Sequence, residues 1–364
     1  MMIVLVLMLV AAGVLLVRLY PPLGARATGD RQLAMKGSAN YSQRRFLNLI
    51  PTVMNTSLRG MLSVAAELAR GGQNRRPRRA LSTLELNPAD LQNTAHTKVI
   101  WFGHSSLLLQ LNGRTLLLDP MYGPAPSPFP FIGGKRYSRT PPVDVDSLPD
   151  VDAVILSHDH YDHLDYGSIR RLNRKVSRFF VPLGVGAHLE RWGVPREKIT
   201  EADWWDELEF AGLKLACTPS RHFSGRSLTD RNATLWCSWV IDGGSEKIYF
   251  SGDSGYGPHF RQIGERYGPF DLTLMECGQY NEQWAAIHMM PEETVQAHLD
   301  VGGKVLLPIH WGAFTLSVHA WTEPIERAVA AAQKNNVTVA TPRIGEPVIL
   351  GKGSYPGAPW WQEG

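Results

Sequence analysis

The amino-acid sequence predicts an α/β fold, in which short strands alternate with helices, and three observations lead to that class. From Lys98 onwards, short apolar runs each end in polar or glycine-rich residues, which is typical of buried strands. Longer amphipathic stretches lie between these runs and fit helices. The chain has 364 residues, of which 44% are hydrophobic and 20% charged, so it holds enough apolar material for a large core.

The first two predicted strands form a hairpin at the start of this region. V-I-W-F-G-H-S-S (99–106) is followed by L-L-L-Q-L-N-G-R-T-L-L-L-D-P (107–120), and Asn112-Gly113 is a type I′ turn signal. Further strands are predicted at 151–156, 178–182, 212–218, 235–242, 246–251, 271–275 and 304–309. Helices are predicted at 56–70, 166–174, 260–267, 291–300 and 323–334.

The N-terminus differs from the rest of the chain. Residues 1–17 carry no charge before Arg18, and an apolar stretch of this length predicts a transmembrane helix over 1–20. A cleaved signal peptide is the alternative, with Gly24-Ala25-Arg26-Ala27 as a weak cleavage site. Residues 18–79 contain twelve Lys or Arg and two acids, and such a basic flank predicts that the following domain is membrane-anchored at the cytoplasmic face of the inner membrane.

The nine residues S-H-D-H-Y-D-H-L-D (157–165) carry the strongest chemical signal. They follow the predicted strand at 151–156 and contain the pattern H-x-H-x-D-H, formed by His158, His160, Asp162 and His163. Imidazole nitrogen and carboxylate oxygen are ordinary zinc ligands, and one such stretch has donors enough to reach two ions. Four residues are too few for two four-coordinate ions, so further ligands are expected at other strand ends.

Three later residues supply them, since each follows an apolar strand. His222 comes after L-K-L-A-C-T-P-S-R, Asp253 lies in S-G-D-S-G-Y-G, and His310 follows K-V-L-L-P-I. Taken singly, a histidine of this kind is more often a hydrogen-bonded structural residue, and G-D-S-G is usually a turn. Taken with the dense H-x-H-x-D-H pattern, the set predicts a metal site.

These motifs resemble those of the metallo-β-lactamase superfamily over residues 98–350. Longer strings are similar to the N-acyl-phosphatidylethanolamine-hydrolysing phospholipase D family and its bacterial relatives, among them K-R-Y-S-R-T-P, L-S-H-D-H-Y-D-H-L-D-Y, T-P-S-R-H, R-Y-G-P-F-D-L and I-H-W-G. The resemblance implies a four-layer αββα sandwich with the metals at one edge of two sheets. Combined with the apolar and basic N-terminal segments, which are not part of the resemblance, the predicted organisation is an anchor at 1–20, a basic linker or N-terminal extension at 21–95, a hydrolase domain at 96–350 and a tail at 351–364.

The resemblance also implies a role for each ligand. One Zn²⁺ would be held by His158, His160 and His222, and a second by Asp162, His163 and His310, with Asp253 bridging the two. The mixed His/Asp set also suits iron or manganese. The family's catalytic histidine falls on His288, before P-E-E, and His288 is therefore a predicted catalytic residue. Asp162 is the second predicted catalytic residue.

The predicted function is the hydrolysis of a glycerophospholipid by a dinuclear zinc phosphodiesterase, with a phospholipid substrate and a membrane surface as partners. The predicted substrate contacts are Tyr161, Lys135, Arg136, Arg139, Trp284 and Gln279. The basic segment lacks nucleic-acid-reading motifs, and a homodimer is left open. Two alternatives remain: a hydrolase of another ester, lactone or cyclic phosphodiester, and a non-catalytic metal-binding envelope protein.

Overall fold

The computed structural model describes residues 19–55, 57–69 and 74–363, together with residues 4, 5, 8, 13 and 15. From Lys98 onwards it contains short strands with helices placed between groups of them, as the apolar runs predict. In chain order the elements are α1 (Gly29–Gly37), β1 (Tyr41–Ser42), β2 (Arg45–Phe46), α2 (Leu58–Ala69), β3 (Lys98–Trp101), β4 (Leu107–Leu111), β5 (Arg114–Leu118), β6 (Val151–Ile155), α3 (Tyr166–Leu172), β7 (Val176–Pro182), α4 (Gly186–Arg191), β8 (Ile199–Ala202), β9 (Glu207–Phe210), β10 (Leu213–Thr218), β11 (Ser238–Asp242), β12 (Lys247–Phe250), α5 (His259–Tyr267), β13 (Phe270–Glu276), α6 (Pro291–Asp300), β14 (Gly303–Ile309), α7 (Glu323–Lys334), β15 (Thr338–Val339) and β16 (Pro347–Ile349).

Two seven-stranded mixed sheets form the centre of the molecule. The first has the strand order β16-β3-β4-β5-β6-β7-β8, and the second has the order β15-β14-β13-β12-β11-β10-β9. Strands β5 to β8 run parallel to one another, and so do β12 to β15. The C-terminal strand β16 pairs antiparallel with β3, so the first sheet needs both ends of the domain.

The alternation of side chains along the strands explains the layers. In β4, Leu107 and Leu109 pack into the core between the sheets, whereas Leu108 packs into a second core on the outer face. Because successive strand residues point to opposite faces, a continuous leucine run indicates burial on both sides. Helices α3 and α4 cover the outer face of the first sheet, and α5 and α6 cover that of the second. The result is an α/β sandwich of two sheets between helices.

The predicted transmembrane helix is not supported. Among the described residues, no helix is both long and apolar enough to cross a membrane. The longest described helices, α2 and α7, have 12 residues each, which is about 18 Å against the roughly 30 Å of a bilayer core. Most of residues 1–18, on which the prediction rested, lie outside the described residues. The predicted membrane-anchored location at the inner membrane is corrected on this finding.

The segment before β3, expected as a basic linker, contacts the sandwich at several points. Arg31 of α1 forms ion pairs with Glu190 and Glu201, at 3.1 and 2.5 Å. Phe46 of β2 is fully buried in the core between the sheets. The Asn48 amide donates to the carbonyl of His222 and accepts from its N–H, at 2.8 and 3.1 Å. This segment therefore fixes the backbone at one predicted metal ligand.

Candidate metal centre

The seven predicted ligands meet at one edge of the sandwich because of the strand directions. His158, His160, Asp162 and His163 follow β6 of the first sheet. His222, Asp253 and His310 follow β10, β12 and β14, which run in the same direction in the second sheet, so their ends meet at one edge. Six of the seven side chains are buried and His160 is half-buried. The structure thus brings together all the ligands that the sequence predicted.

The first group of donor atoms comes from three histidines and one aspartate. Nε2 of His158 lies 2.9 Å from Nδ1 of His160, which lies 3.2 Å from Nε2 of His222. The carboxylate of Asp253 is 3.8 Å from the His158 nitrogen and 3.7 Å from the His222 nitrogen. Bonds of about 2.1 Å in a tetrahedral site place ligand atoms about 3.4 Å apart. The observed separations, from 2.9 to 3.8 Å, lie on both sides of that value.

The second group shares Asp253 with the first. Nε2 of His163 lies 3.2 Å from the Asp253 carboxylate and 3.4 Å from that of Asp162. Nδ1 of His310 is 3.1 Å from the other Asp253 oxygen. Nε2 of His163 and Oδ1 of Asp253 are buried without a hydrogen-bond partner, a costly state for polar atoms unless a ligand satisfies them. The donors therefore fit a metal in each group.

Four of the five histidines predicted as ligands are held in the form that binds metal. Burial, together with the neighbouring imidazoles, lowers the pKa of His158, His222 and His310 well below the ordinary value. Burial lowers the pKa of His160 to about 4. A metal needs the lone pair of a neutral imidazole, so these side chains offer it at neutral pH.

The carboxylates of the site respond to burial and to His163. Burial raises the pKa of Asp253 to about 6, although His163 acts in the opposite direction. Burial also opposes the charged form of His163, but the carboxylates of Asp253, Asp162 and Asp119 outweigh it and raise its pKa well above the ordinary value. A metal ion would replace that proton as the positive partner of the carboxylates.

Hydrogen bonds orient the ligands from behind. Asp119 is fully buried, and its carboxylate accepts from Nδ1 of His163 at 2.7 Å and from the Ser157 N–H at 2.7 Å. The hydroxyl of Ser157 lies 2.9 Å from Nδ1 of His158. The Ile287 carbonyl accepts a hydrogen bond from Nδ1 of His222 at 2.9 Å. Each contact leaves Nε2 of its imidazole to face the site.

His104 is a residue whose role the sequence did not reveal. It is fully buried, and its Nε2 lies 2.8 Å from Oδ2 of Asp162. Its ring packs at 4.1 Å from that of His310, and its backbone exchanges hydrogen bonds with His310 and Trp311. Its φ of +56° is in the left-handed region. Only the G-H-S-S string after a strand marks this position in the sequence.

His288 lies beside both groups. Its ring packs against those of His222 and His310, with centroids 5.0 and 5.1 Å apart. Its Nδ1 is 3.1 Å from Oε2 of Glu276, a buried carboxyl at the end of β13 that the sequence analysis did not single out. Burial lowers the pKa of His288, while Asp253 acts to raise it.

A cavity of about 510 Å³ opens onto the donor atoms. Helix α2 and the segment before it line this cavity together with five of the predicted metal ligands. The lining residues are Met54, Asn55, Gly60, Met61, Val64, Ala65, His160, Asp162, His222, Phe223, Asp253, Gln279, Gln283, Trp284, Ile287, His288, His310 and Leu316. Apart from the ligands, this lining is largely apolar.

Two of the predicted substrate contacts, Gln279 and Trp284, line this cavity. Gln279 is held in place, since its Nε2 donates to the Phe314 carbonyl at 3.2 Å and its Oε1 accepts from the Leu316 N–H at 2.8 Å. The Trp284 indole donates to the Gln279 carbonyl at 2.8 Å. These two side chains are therefore ordered beside His288 and His310.

The other predicted contacts lie elsewhere. The Tyr161 hydroxyl donates to the Arg226 carbonyl at 2.6 Å, and its ring lines a neighbouring cavity. The Arg136 guanidinium donates to the carbonyls of Met121 and Gly123. Lys135 and Arg139 are exposed. The structure does not bring Tyr161 or the three basic residues to the cavity over the metal ligands.

Comparison with known proteins agrees with this fold and this site. A family model described as a β-lactamase superfamily domain matches residues 114–311, more than half of the chain. Two sheets between helices, with the H-x-H-x-D-H loop at their shared edge, define the same class. The chain belongs to the metallo-β-lactamase superfamily, and the prediction made from its motifs is confirmed.

Two similar proteins and one solved structure show which hydrolases this chain resembles. A protein of Mycobacterium tuberculosis of uncharacterized function is 45% identical over 347 residues, covering 93% of this chain and 91% of that protein. The N-acyl-phosphatidylethanolamine-hydrolyzing phospholipase D 1 of Caenorhabditis elegans is 35% identical over 241 residues, covering 62% of this chain and 67% of the worm protein. Igni18, a metallo hydrolase of the archaeon Ignicoccus hospitalis, shares the fold with a TM-score of 0.54 and 20% identity, over 70% of this chain and 98% of its own. The protein is therefore a metal-dependent hydrolase.

Proposed function

We propose that the protein is a dinuclear zinc phosphodiesterase that hydrolyses a glycerophospholipid. It would cleave the phosphorus–oxygen bond on the headgroup side and release phosphatidic acid, with N-acyl-phosphatidylethanolamine as the favoured substrate. The observation that carries the proposal is an apolar cavity that opens directly onto the metal ligands and His288. The likeness to the worm enzyme, whose name specifies that lipid, supports it.

The apolar wall suits an acyl chain. Met61 and Val64 of α2 line the cavity together with the apolar residues Ile287 and Leu316 and the predicted ligands. Each methylene of a substrate buried there gains about 0.8 kcal/mol. A substrate without apolar groups would gain nothing from this wall.

The surface around the cavity suits an encounter with a lipid layer. Val53 precedes the lining residue Met54 and is 77% exposed. Leu58 and Leu62 flank the lining residue Met61 and are 70% and 60% exposed. Because exposed apolar residues grouped beside a binding cavity often mark an interaction surface, we propose that this face contacts the membrane surface from which the lipid is taken.

Two groups of protein donors with a shared carboxylate support binding of two zinc ions. The first ion would be held by His158, His160 and His222, and the second by the ligands around His163, with Asp253 common to both. When bound, such ions would activate a water molecule and polarise a phosphoryl oxygen. Helix α2 would exclude bulk water from the reacting groups.

His288 would act as the proton donor in this reaction. It lines the cavity beside the ligands, and its Nδ1 is engaged by Glu276, so Nε2 is the nitrogen available to a bound substrate. We propose that Nε2 donates a proton to the oxygen of the leaving headgroup. Such general acid catalysis contributes about 10²–10⁴-fold to a rate.

The test is product analysis on lipid vesicles with the full-length protein. Vesicles of N-acyl-phosphatidylethanolamine, of phosphatidylcholine and of phosphatidylethanolamine would be incubated with zinc-loaded protein and the products identified by mass spectrometry. Phosphatidic acid and N-acylethanolamine are expected from the first. Asp253→Asn and His288→Ala should lose this turnover, whereas His96→Ala, at an exposed histidine that does not line the cavity, should keep it.

Other products would redirect the proposal. Release of free fatty acid would indicate cleavage of a carboxylic ester and would overturn the phosphodiesterase assignment. Turnover of a lactone, an aryl ester or a cyclic phosphodiester without any turnover of lipid would keep a hydrolase but replace its substrate. Zinc content well below two ions per chain in fully loaded protein would overturn the dinuclear centre.

A further inference from the structure

We infer that Glu276 is the positioning residue of His288, holding the imidazole so that only Nε2 exchanges a proton with the substrate. The inference deepens the proposed function and rests on it for the identity of the leaving group. It concerns a carboxyl that belongs to neither group of predicted metal ligands. No sequence motif marks this residue, which ends the apolar strand F-D-L-T-L-M-E.

The carboxyl of Glu276 is fixed on both sides. Oε1 accepts from the Met289 N–H at 2.7 Å, and Oε2 lies 3.1 Å from Nδ1 of His288. The backbone carbonyl of the same residue accepts from the Thr294 hydroxyl at 2.8 Å. Two neighbouring residues, His288 and Met289, are therefore bound by one carboxyl: rotation of the imidazole breaks the bond to Oε2, and displacement of the backbone before α6 breaks the bond to Oε1.

The burial of Glu276 favours a role of this kind. Its side chain is fully buried, and a buried carboxyl costs more free energy than an apolar side chain of the same size unless it is paired. Met275, its neighbour on the strand, packs in an apolar core. A purely structural position at this strand end would be filled at lower cost by an apolar residue.

The contact with Oε2 decides which imidazole nitrogen can lose a proton. When Nε2 gives its proton to the leaving oxygen, the imidazole becomes neutral and its remaining proton must lie on Nδ1. A carboxylate oxygen accepts a hydrogen bond from that Nδ1–H. Glu276 thus stabilises the Nδ1–H tautomer of His288 that exists after the transfer. This holds whether the proton between Glu276 and His288 lies on the carboxyl or on Nδ1 before the transfer.

For a phosphodiester, the oxygen of the attacking water bonds to phosphorus; one of its protons passes to solvent and the other stays on the new phosphate oxygen. The bond from phosphorus to the headgroup oxygen breaks, and that oxygen takes the proton from Nε2 of His288. The Nδ1 proton stays against Glu276, and solvent later restores the proton on Nε2.

Glu276→Gln tests the inference with little change in shape. The amide oxygen would keep the bond from the Met289 N–H, which places the amide NH₂ against Nδ1 of His288. A donor in that position requires Nδ1 to accept, so the neutral imidazole must carry its proton on Nε2. Nε2 then cannot give up a proton without forming an imidazolate.

The first readout is the dependence of the rate on the leaving group. For a diester with an alkyl leaving group, Glu276→Gln should lower kcat by about 10²–10⁴-fold, as His288→Ala does, with KM within about twofold. For a p-nitrophenyl diester, whose leaving group needs no proton, both variants should stay within about threefold of the wild type. Equal losses on the two diesters would show a structural role only and would overturn the inference.

Glu293→Gln is the matched control. Glu293 accepts from the Met290 N–H at 2.9 Å, one residue beyond the bond that Glu276 makes, but does not contact His288. It should keep wild-type kcat on both diesters. Zinc content is measured for all variants, because Glu276 also lies near Asp253 and His310; loss of zinc in Glu276→Gln would mean that this carboxyl is a ligand and would overturn the inference.

The second readout does not depend on turnover. In ¹⁵N-labelled zinc-loaded protein, NMR of the histidine rings identifies the protonated nitrogen, and His288→Ala assigns the signal. We expect Nδ1–H at alkaline pH in the wild type and Nε2–H in Glu276→Gln; the same tautomer in both proteins would overturn the inference. If neither diester is turned over by the wild type, the proposed function fails, while the NMR result still decides whether Glu276 sets the tautomer.

Discussion

Asp119 provides a sharp test of how the metal centre is built, through the substitution Asp119→Asn. Its Oδ1 accepts from the Ser157 N–H, and its Oδ2 accepts from Nδ1 of His163. In the variant, the amide oxygen would keep the first bond and the NH₂ group would face Nδ1. His163 would then carry its proton on Nε2, the buried atom that faces Asp162 and Asp253. A protonated nitrogen cannot bind a metal.

The expected effect is a loss of metal affinity rather than a loss of fold. Asp119 has a φ of +40°, a conformation that asparagine tolerates well, so the backbone should be retained. Loss of a partner that orients a ligand typically lowers metal affinity about 10–100-fold, which corresponds to about 1.4–2.7 kcal/mol. The ion affected would be the one that His163 is predicted to hold.

Competition with a chromogenic chelator measures this affinity, and elemental analysis gives the number of ions per chain. Asp152→Asn is the control, because Asp152 accepts from the Thr115 N–H at 2.8 Å within the same sheet but is not near the donor atoms. We expect one of two zinc affinities to fall in Asp119→Asn and neither in Asp152→Asn. Two unchanged affinities in Asp119→Asn would refute the reasoning about the tautomer.

Three further predictions concern the cavity, the pH dependence and the strand end at His310. Val64→Asp places a charge in the apolar wall and should raise KM for the lipid about 10–100-fold, with KM for a p-nitrophenyl diester unchanged; an equal change in both would argue against an acyl-chain wall. Burial lowers the pKa of His298 to about 4, so the stability that its neutral form contributes is complete above pH 6.5 and is lost as the pH falls towards 4. Denaturation of the wild type and of His298→Gln is measured between these pH values. The slope of the unfolding free energy against pH should be about 1.4 kcal/mol per pH unit shallower in the variant than in the wild type. Gly312 has a φ of +73°, and a Cβ there would lie 2.7 Å from the Trp101 ring, so Gly312→Ala should lower the free energy of unfolding by about 2–4 kcal/mol in urea titrations; wild-type stability would contradict it.

Much of the fold was predictable because its strands are apolar runs with clear ends. The strand predicted at 271–275 is observed as Phe270–Glu276, and the helices predicted at 291–300 and 323–334 have those same bounds. Strands β8 and β9 were missed because they are short and alternate with charged residues, as in I-T-E-A and E-L-E-F. Both are edge strands, where charged side chains are common because they prevent the unpaired edge from pairing with another chain.

The ligands were predictable for a different reason. Each is a histidine or aspartate directly after a strand, and parallel strands bring such positions to one edge. The residues that orient them have no such pattern: Glu276 ends an apolar strand, and Asp119 precedes a proline as a turn residue would. Helix α2 was predicted as a helix, but its place over the ligands depends on tertiary contacts, such as that of Asn55 with Gln283.

The division of ligands between the two sheets has a consequence for biosynthesis. Four ligands come from the first sheet and three from the second, so a ribosome that has released only the first half of the chain has produced no complete site. The shared Asp253 and the last ligand, His310, emerge late, and β16 emerges later still to complete the first sheet. A metal ion could therefore meet the complete set of predicted ligands only after both halves of the chain are present.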